Sequence, residues 1–242
     1  MYFVDTAHNS LIKYGEELCG DHVELVNVLD GKIMVLSDGL GSGVKANILA
    51  TMTSKIAATM LREGSSLEET IDTIVHTLPV CSERHLAYST FTIIKAYHTG
   101  RVYVAEFDNP SIFLLRDGKD VPIEKVKKEI NGKVIYESTF ELDKKSLLVA
   151  VSDGVIHAGV GHSLRFGWQW KNVNDYLKDF TGEDITTTTV ASSVLDYCQN
   201  LYENQAGDDT TVLAVKIREQ ETINLFTGPP FNPENDYKVI ED

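Results

Sequence analysis

Cysteine is scarce in this chain. The three in 242 residues, Cys19, Cys81 and Cys198, stand far apart, form no CxxC and are odd in number. That argues against a disulfide framework and a structural zinc site, and favours a reducing compartment. No apolar run approaches the roughly 18 residues that a membrane helix needs, and no charged start followed by an apolar core opens the chain. A soluble, cytoplasmic protein is expected. Basic residues are also few, 22 Lys and Arg against 36 Asp and Glu, for a formal net charge of −14. Such a surface repels phosphate backbones and anionic lipid, so neither nucleic acid nor a membrane is expected as a partner. The seven histidines form no HxH or HExxH, which removes support for a zinc hydrolase. There is no GxSxG, no GxGxxG (position 44 is Val) and no phosphate loop ending in Gly-Lys-Ser/Thr, so serine-hydrolase and nucleotide-fold readings lose their main support.

What is present is a chain of 43% hydrophobic residues, long enough to bury a substantial core as one large domain. Residues 22–28 and 32–37 flank Leu29-Asp30-Gly31, and Asp-Gly between β-rich runs predicts a hairpin. In residues 44–63, Ile48, Met52, Ile56 and Met60 recur at four-residue spacing, as on a helix with one buried face. Ser66-Leu67-Glu68-Glu69 is a capping box for a second helix that should stop before Pro79. From Ala87 to Arg116 three β-rich runs predict an antiparallel meander. Residues 119–145 are harder to place and accommodate a hairpin through Asn131-Gly132. Residues 146–154 and 207–217 read as strands meeting aspartates, with a helix over Val190–Asn204 between them. Helices inserted between groups of antiparallel strands predict a layered α/β arrangement without strict β-α-β alternation. Past Ile217 the pattern decays, so 1–217 reads as one domain and 218–242 as a tail or the start of a further element.

The acids carry the chemistry. A two-residue turn at Asp30-Gly31 would set Asp38 opposite Val23 and diagonal to Asp21, the two carboxylates on one face roughly 7 Å apart. Asp153 leaves an apolar strand as Asp38 does, and Asp208 enters one as Asp21 does. Four carboxylates at one sheet edge need a counter-charge, and an oxygen-only set favours Mg2+ or Mn2+ over zinc. Taken singly, each Ser-Asp-Gly is also an ordinary turn with a capping Asp. Gly39, Gly41 and Gly43 are open to two explanations, positive φ or close approach of backbone to a bound ion.

"CGDH" (19–22), "VLSDGLGSGVKA" (35–46), "AVSDGV" (150–155) and "GDDTTVLAVKI" (207–217), in this order, resemble the motifs of the metal-dependent, type-2C protein phosphatases, and more closely those of their stage II sporulation protein E branch. The resemblance implies an α-β-β-α sandwich whose central pair of mainly antiparallel sheets is flanked by helices, with a two-metal centre of Mn2+ or Mg2+ at one edge. Asp38 would bridge both metals, the Gly39 carbonyl and Asp21 would serve one, and Asp153 and Asp208 the other, with Asp209 as the adjacent candidate. Asp38 and Asp153 would be catalytic, and a metal-bridging water or hydroxide would attack a phosphoserine or phosphothreonine monoester in line. The implied partner is a phosphorylated regulatory protein of the anti-sigma-antagonist type.

Longer members of the family carry a phosphate-binding arginine upstream of the first acid. Here residues 5–20 hold Lys13 as their one Lys or Arg, and no phosphate clamp is assigned. The stretch 157–170 has no counterpart in the resemblance; its aromatics would either shape a groove or pack into the core. His22 and His157 lie near the candidate ligands, either to relay protons or as ordinary polar residues. The helices over 44–78 would form a switch that sets activity. Two readings compete with the enzyme: a weak or inactive phosphatase fold acting as a regulatory scaffold, and a metal-dependent phosphodiesterase, against which the charge counts.

Overall fold

The computed structural model describes residues 1–77, 89–130 and 132–219. In chain order these form β1 (Tyr2–Leu11), β2 (Asp21–Val28), β3 (Gly31–Gly39), α1 (Gly43–Arg62), α2 (Leu67–Thr77), β4 (Ser89–Tyr97), β5 (Arg101–Phe107), β6 (Phe113–Arg116), β7 (Lys119–Asp120), β8 (Val126–Ile130), β9 (Lys133–Glu141), β10 (Ser146–Val151), α3 (Asp153–Ile156), α4 (Trp170–Leu177), α5 (Thr187–Leu201) and β11 (Thr210–Glu219). One sheet runs β1-β11-β10-β6-β7 and the other β2-β3-β4-β5-β9-β8, with antiparallel neighbours throughout.

Both sheets are covered on both faces, which is why their central strands are continuous apolar runs rather than alternating ones. Along β3, Ile33 and Val35 turn outward to Ala57, Ala58 and Ile71 of the first helix pair, while Met34 and Leu36 turn inward to Leu148, Leu213 and Val215 of the opposite sheet. Along β10, Leu147, Val149 and Val151 take the outer side, against Val173, Leu177 and Val194 of α4 and α5. The result is the expected α-β-β-α sandwich, with three apolar layers between four layers of structure.

The first hairpin turns one residue earlier than expected. Val28 pairs with Gly31, so Leu29-Asp30 forms the turn and the Leu29 side chain is fully exposed, at 104%. Gly31 is needed inside the strand: a Cβ there would lie 2.0 Å from the Ala96 carbonyl oxygen of β4. Asp21 consequently faces Asp38 directly instead of diagonally.

On α1 the buried positions are Gly43, Ala46, Leu49, Ala50, Thr53, Ser54, Ala57 and Ala58. Ile48 and Met52, expected in the core, are 51% and 41% exposed. Small residues let the helix lie close on β2 and β3, and this outweighs the four-residue apolar spacing. The meander also breaks: β4 and β5 pair, but β6 crosses to the other sheet and pairs with β10.

Strand β1, at the edge beside β11, is not among the expected strands; Val4 is its one fully buried position. The capping box forms, with the Ser66 amide donating to Glu69 Oε2 (2.9 Å) and the Glu69 amide to Ser66 Oγ (3.2 Å). The β8–β9 hairpin closes at Ile130↔Lys133 and the late helix spans Thr187–Leu201. Cys81, Pro79 and residues 220–242 lie outside the described residues. No helix among those described is long and apolar enough to cross a membrane.

Candidate functional site

Each sheet delivers its acids to the same edge. In the β2–β3 ladder the Gly39 amide donates to the Gly20 carbonyl at 3.1 Å. The neighbouring pair Asp21↔Asp38 is therefore the non-hydrogen-bonded kind, whose Cα atoms are about 4.5 Å apart and whose side chains lie closest. Across the sandwich, the Ser152 amide donates to the Thr211 carbonyl (3.0 Å) and the Thr211 amide to Ser152 Oγ (2.8 Å). This clasp brings the exit of β10, where Asp153 opens α3, beside the Asp208-Asp209 entry to β11. Gly154 permits the contact, since a Cβ there would lie 2.1 Å from the Asp209 carbonyl oxygen. The Tyr202 hydroxyl fixes it from behind, donating to the Gly154 carbonyl at 2.8 Å.

A cleft of about 370 Å³ opens at this edge, lined by Asp38, Gly39, Asp153, Asp208 and Lys13, with the loop at residues 40–42 as one wall. Asp21 and Asp209 lie beneath it, each 4% exposed. Asp208 and Asp209 thus play different parts: the first faces the cleft, while the second turns inward and accepts from the Lys13 amide through Oδ1 at 3.1 Å. The glycines divide too. Gly39 is required by close approach, because a Cβ would sit 2.1 Å from the Ala46 carbonyl oxygen on α1, whereas Gly41 and Gly43 adopt positive φ.

The acids strain one another electrostatically. Burial, with Asp209 and Asp153 alongside, pushes the Asp21 carboxyl up to about 7 despite the nearby Ser152 and Thr211 hydroxyls. Asp38 is pushed to about 9 by burial and by Asp21, Asp153, Asp208 and Asp209. Asp208 is raised by burial and Asp153, and drawn back by Lys13. Asp21, Asp38 and Asp208 are thus each raised by neighbouring acids at this edge. Burial and Asp21 also raise the Cys19 thiol to about 12, so it is not a reactive thiolate.

The donor set fits a hard cation. Both carboxylate oxygens of Asp21, and Oδ2 of Asp209, are buried without a hydrogen-bond partner, a costly arrangement for groups that ordinarily find one. No three His, Cys, Asp or Glu side chains among the described residues close around a single point as a ready-made cage.

The two histidines near the candidate ligands differ in placement. His22 alternates to the other face of β2 from Asp21, its Nε2 3.3 Å from Glu24, and His157 Nδ1 is 4.0 Å from Asp153 Oδ2. In 157–170, Trp168 is buried and stacks on Tyr197 at 4.5 Å. Trp170 stacks on Phe113 at 4.7 Å and donates to the Ser111 carbonyl at 2.9 Å. Both tryptophans are packing residues, and none of this stretch lines the cleft. Sequence reasoning did not find Ser89 or Thr90, which do line it; Ser89 Oγ donates to the Asp38 carbonyl at 2.9 Å. Only the β3–β4 pairing reveals them.

The family model described as Stage II sporulation protein E (SpoIIE) matches residues 30–218. The chain belongs to the SpoIIE family. Among solved structures, it resembles the PP2C phosphatase domain with a regulatory-domain fragment of SpoIIE from Bacillus subtilis (TM-score 0.75, 21% identity, covering 91% of this chain and 63% of that one). It also resembles the SiaA-PP2C domain of Pseudomonas aeruginosa (0.67, 18%, 86% and 85%) and RsbX in complex with magnesium (0.62, 18%, 90% and 100%). The SpoIIE-family chain thus has the PP2C phosphatase fold, and spans 63% of the Bacillus structure's length. No curated protein matches the sequence.

Proposed function

We propose that this chain is a Mg2+- or Mn2+-dependent serine/threonine protein phosphatase of the SpoIIE family, with residues 1–217 as its catalytic domain. The observation that carries this reading is the pair of buried, unpartnered Asp21 oxygens behind a cleft lined by Asp38, Asp153 and Asp208. Asp38, with the Gly39 carbonyl and Asp21 on one side and Asp153 and Asp208 on the other, would hold two ions. Asp209 is the adjacent candidate ligand, its Oδ1 bonded to the Lys13 amide and its Oδ2 without a partner. When bound, the metal pair supplies Lewis acidity and an activated water for hydrolysis of a phosphate monoester.

The chain's own residues do the positioning. The Ser152–Thr211 clasp fixes Asp153 against Asp208, and the Ser89 hydroxyl holds the Asp38 carbonyl. The cleft is open, suited to a phosphorylated side chain presented by another protein. The substrate in this reading is a small regulatory phosphoprotein of the anti-sigma-antagonist type, a choice supported by the family alone. The test is Mn2+-dependent phosphate release from an aryl phosphate and a phosphoserine peptide. Wild type turns over, and Asp38→Ala and Asp153→Ala do not; equal rates in all three would remove the enzyme.

A regulatory scaffold is the second reading, favoured by the absence of a preformed three-side-chain cage among the described residues. Metal binding in calorimetry without turnover of any phosphopeptide would select it.

A further inference from the structure

Lys13 is the one positively charged residue among those lining the cleft. Its Nζ lies 3.7 Å from Asp208 Oδ1. The ladder brings the two residues near each other: β1 pairs with β11 through Leu11↔Thr210, and Lys13 and Asp208 each lie two residues beyond that last pair. The ladder ends at that pair; beyond it the Lys13 amide donates to the Asp209 side chain at Oδ1 (3.1 Å) and the Tyr14 amide to the Ala206 carbonyl (2.8 Å). The backbone of residue 13 is thus fixed beside the acids, and its side chain carries the ammonium group to the carboxylate that faces the cleft.

We propose that Lys13 is a resident counter-ion of the metal-free centre, which a divalent cation must displace from Asp208. The inference rests on the reading of Asp208 as a metal ligand. A divalent ion held by Asp208 and an ammonium 3.7 Å from its Oδ1 repel each other, so loading the Asp153–Asp208 side drives the Lys13 ammonium away from that carboxylate. Loading the Asp38–Gly39 side does not. Lys13 therefore sets the ion affinity of one half of the centre, and makes it the weaker half. It also lowers the repulsion among the acids when no metal is bound.

Calorimetric titration with Mn2+, together with thermal melts in chelator and in saturating Mn2+, tests this on wild type, Lys13→Met and Lys13→Arg. Neither substitution removes the residue-13 amide that donates to Asp209 Oδ1. The expected result for Lys13→Met is a weaker-site Kd lower by about two- to fivefold, the range set by a part-exposed ion pair, with a lower melting temperature in chelator and an unchanged one in Mn2+. Lys13→Arg should stay near wild type in all three. If Lys13→Met binds Mn2+ as wild type does, or more weakly, the counter-ion role is overturned while the phosphatase reading stands. If wild type itself takes up no Mn2+, the metal-centre reading fails first and the Lys13 role with it.

Discussion

Asp38 concentrates the tension of the site in one residue. Its carboxyl, raised to about 9 by burial and four neighbouring aspartates, is more comfortable protonated in the folded protein than in the unfolded chain. The same holds for Asp21, raised to about 7. A carboxyl whose folded pKa exceeds its unfolded value contributes stability that is fully present below the unfolded value and is lost as pH rises through the folded one. Metal-free protein should therefore melt at progressively lower temperature between about pH 5 and pH 9. Asp38→Asn should flatten that slope and raise the metal-free melting temperature at about pH 8. Melts in chelator across this range check both; a wild-type curve that rises with pH would contradict the cluster. Gly39 makes a steric prediction. Gly39→Ala places a methyl against the Ala46 carbonyl oxygen at 2.1 Å and should cost about 1–3 kcal/mol in urea unfolding. These residues were legible in the sequence, since an aspartate at a strand end beside glycine is visible in the string. Lys13 was visible only as a lone cation. Its closeness to Asp208 depends on pairing between the two ends of the chain, which no local pattern encodes.

Helix α1 is where local pattern misled. Its larger apolar residues Ile48 and Met52 face outward, because the strands beneath are approached closely through Ala46, Ala50, Ala57 and Ala58. Periodicity of four identified the helix, but not which side was buried, since alanines complete a second stripe that hydrophobic size alone undervalues. Ile48→Ser and Met52→Ser should each change unfolding free energy by no more than about 0.5 kcal/mol, whereas Leu49→Ala should cost about 2–5 kcal/mol. Urea midpoints separate the two sets, and a large loss at Ile48 would restore the expected face. The first hairpin misled more gently. Asp30-Gly31 looked like the turn, but Gly31 is spent on the close approach to Ala96. The pairing moved by two residues in sum, which preserves the face, so the inference that Asp21 and Asp38 share a side survived the wrong turn.

The whole molecule is a site shared between two sheets. Asp21 and Asp38 belong to one, and Asp153, Asp208 and Asp209 flank strands β10 and β11 of the other, so the acids repel across the join and a bound cation would tie the halves together. The layering was legible from helices inserted between groups of antiparallel strands; the crossing of β6 to the second sheet was not, because nothing between Phe107 and Phe113 distinguishes a meander from a change of sheet. Binding of an ion at about 100 times its Kd stabilises the fold by about 2.7 kcal/mol. For a chain of this size that corresponds to a rise of about 5–10 °C in melting temperature, reversed by chelator. The most direct measurement of the central claim is phosphate release from a phosphoserine peptide by wild type and by Asp38→Ala, each with saturating Mn2+ and with chelator. The account predicts turnover in one condition alone, wild type with Mn2+; turnover by Asp38→Ala equal to wild type, or none in any condition while Mn2+ is bound, would contradict it.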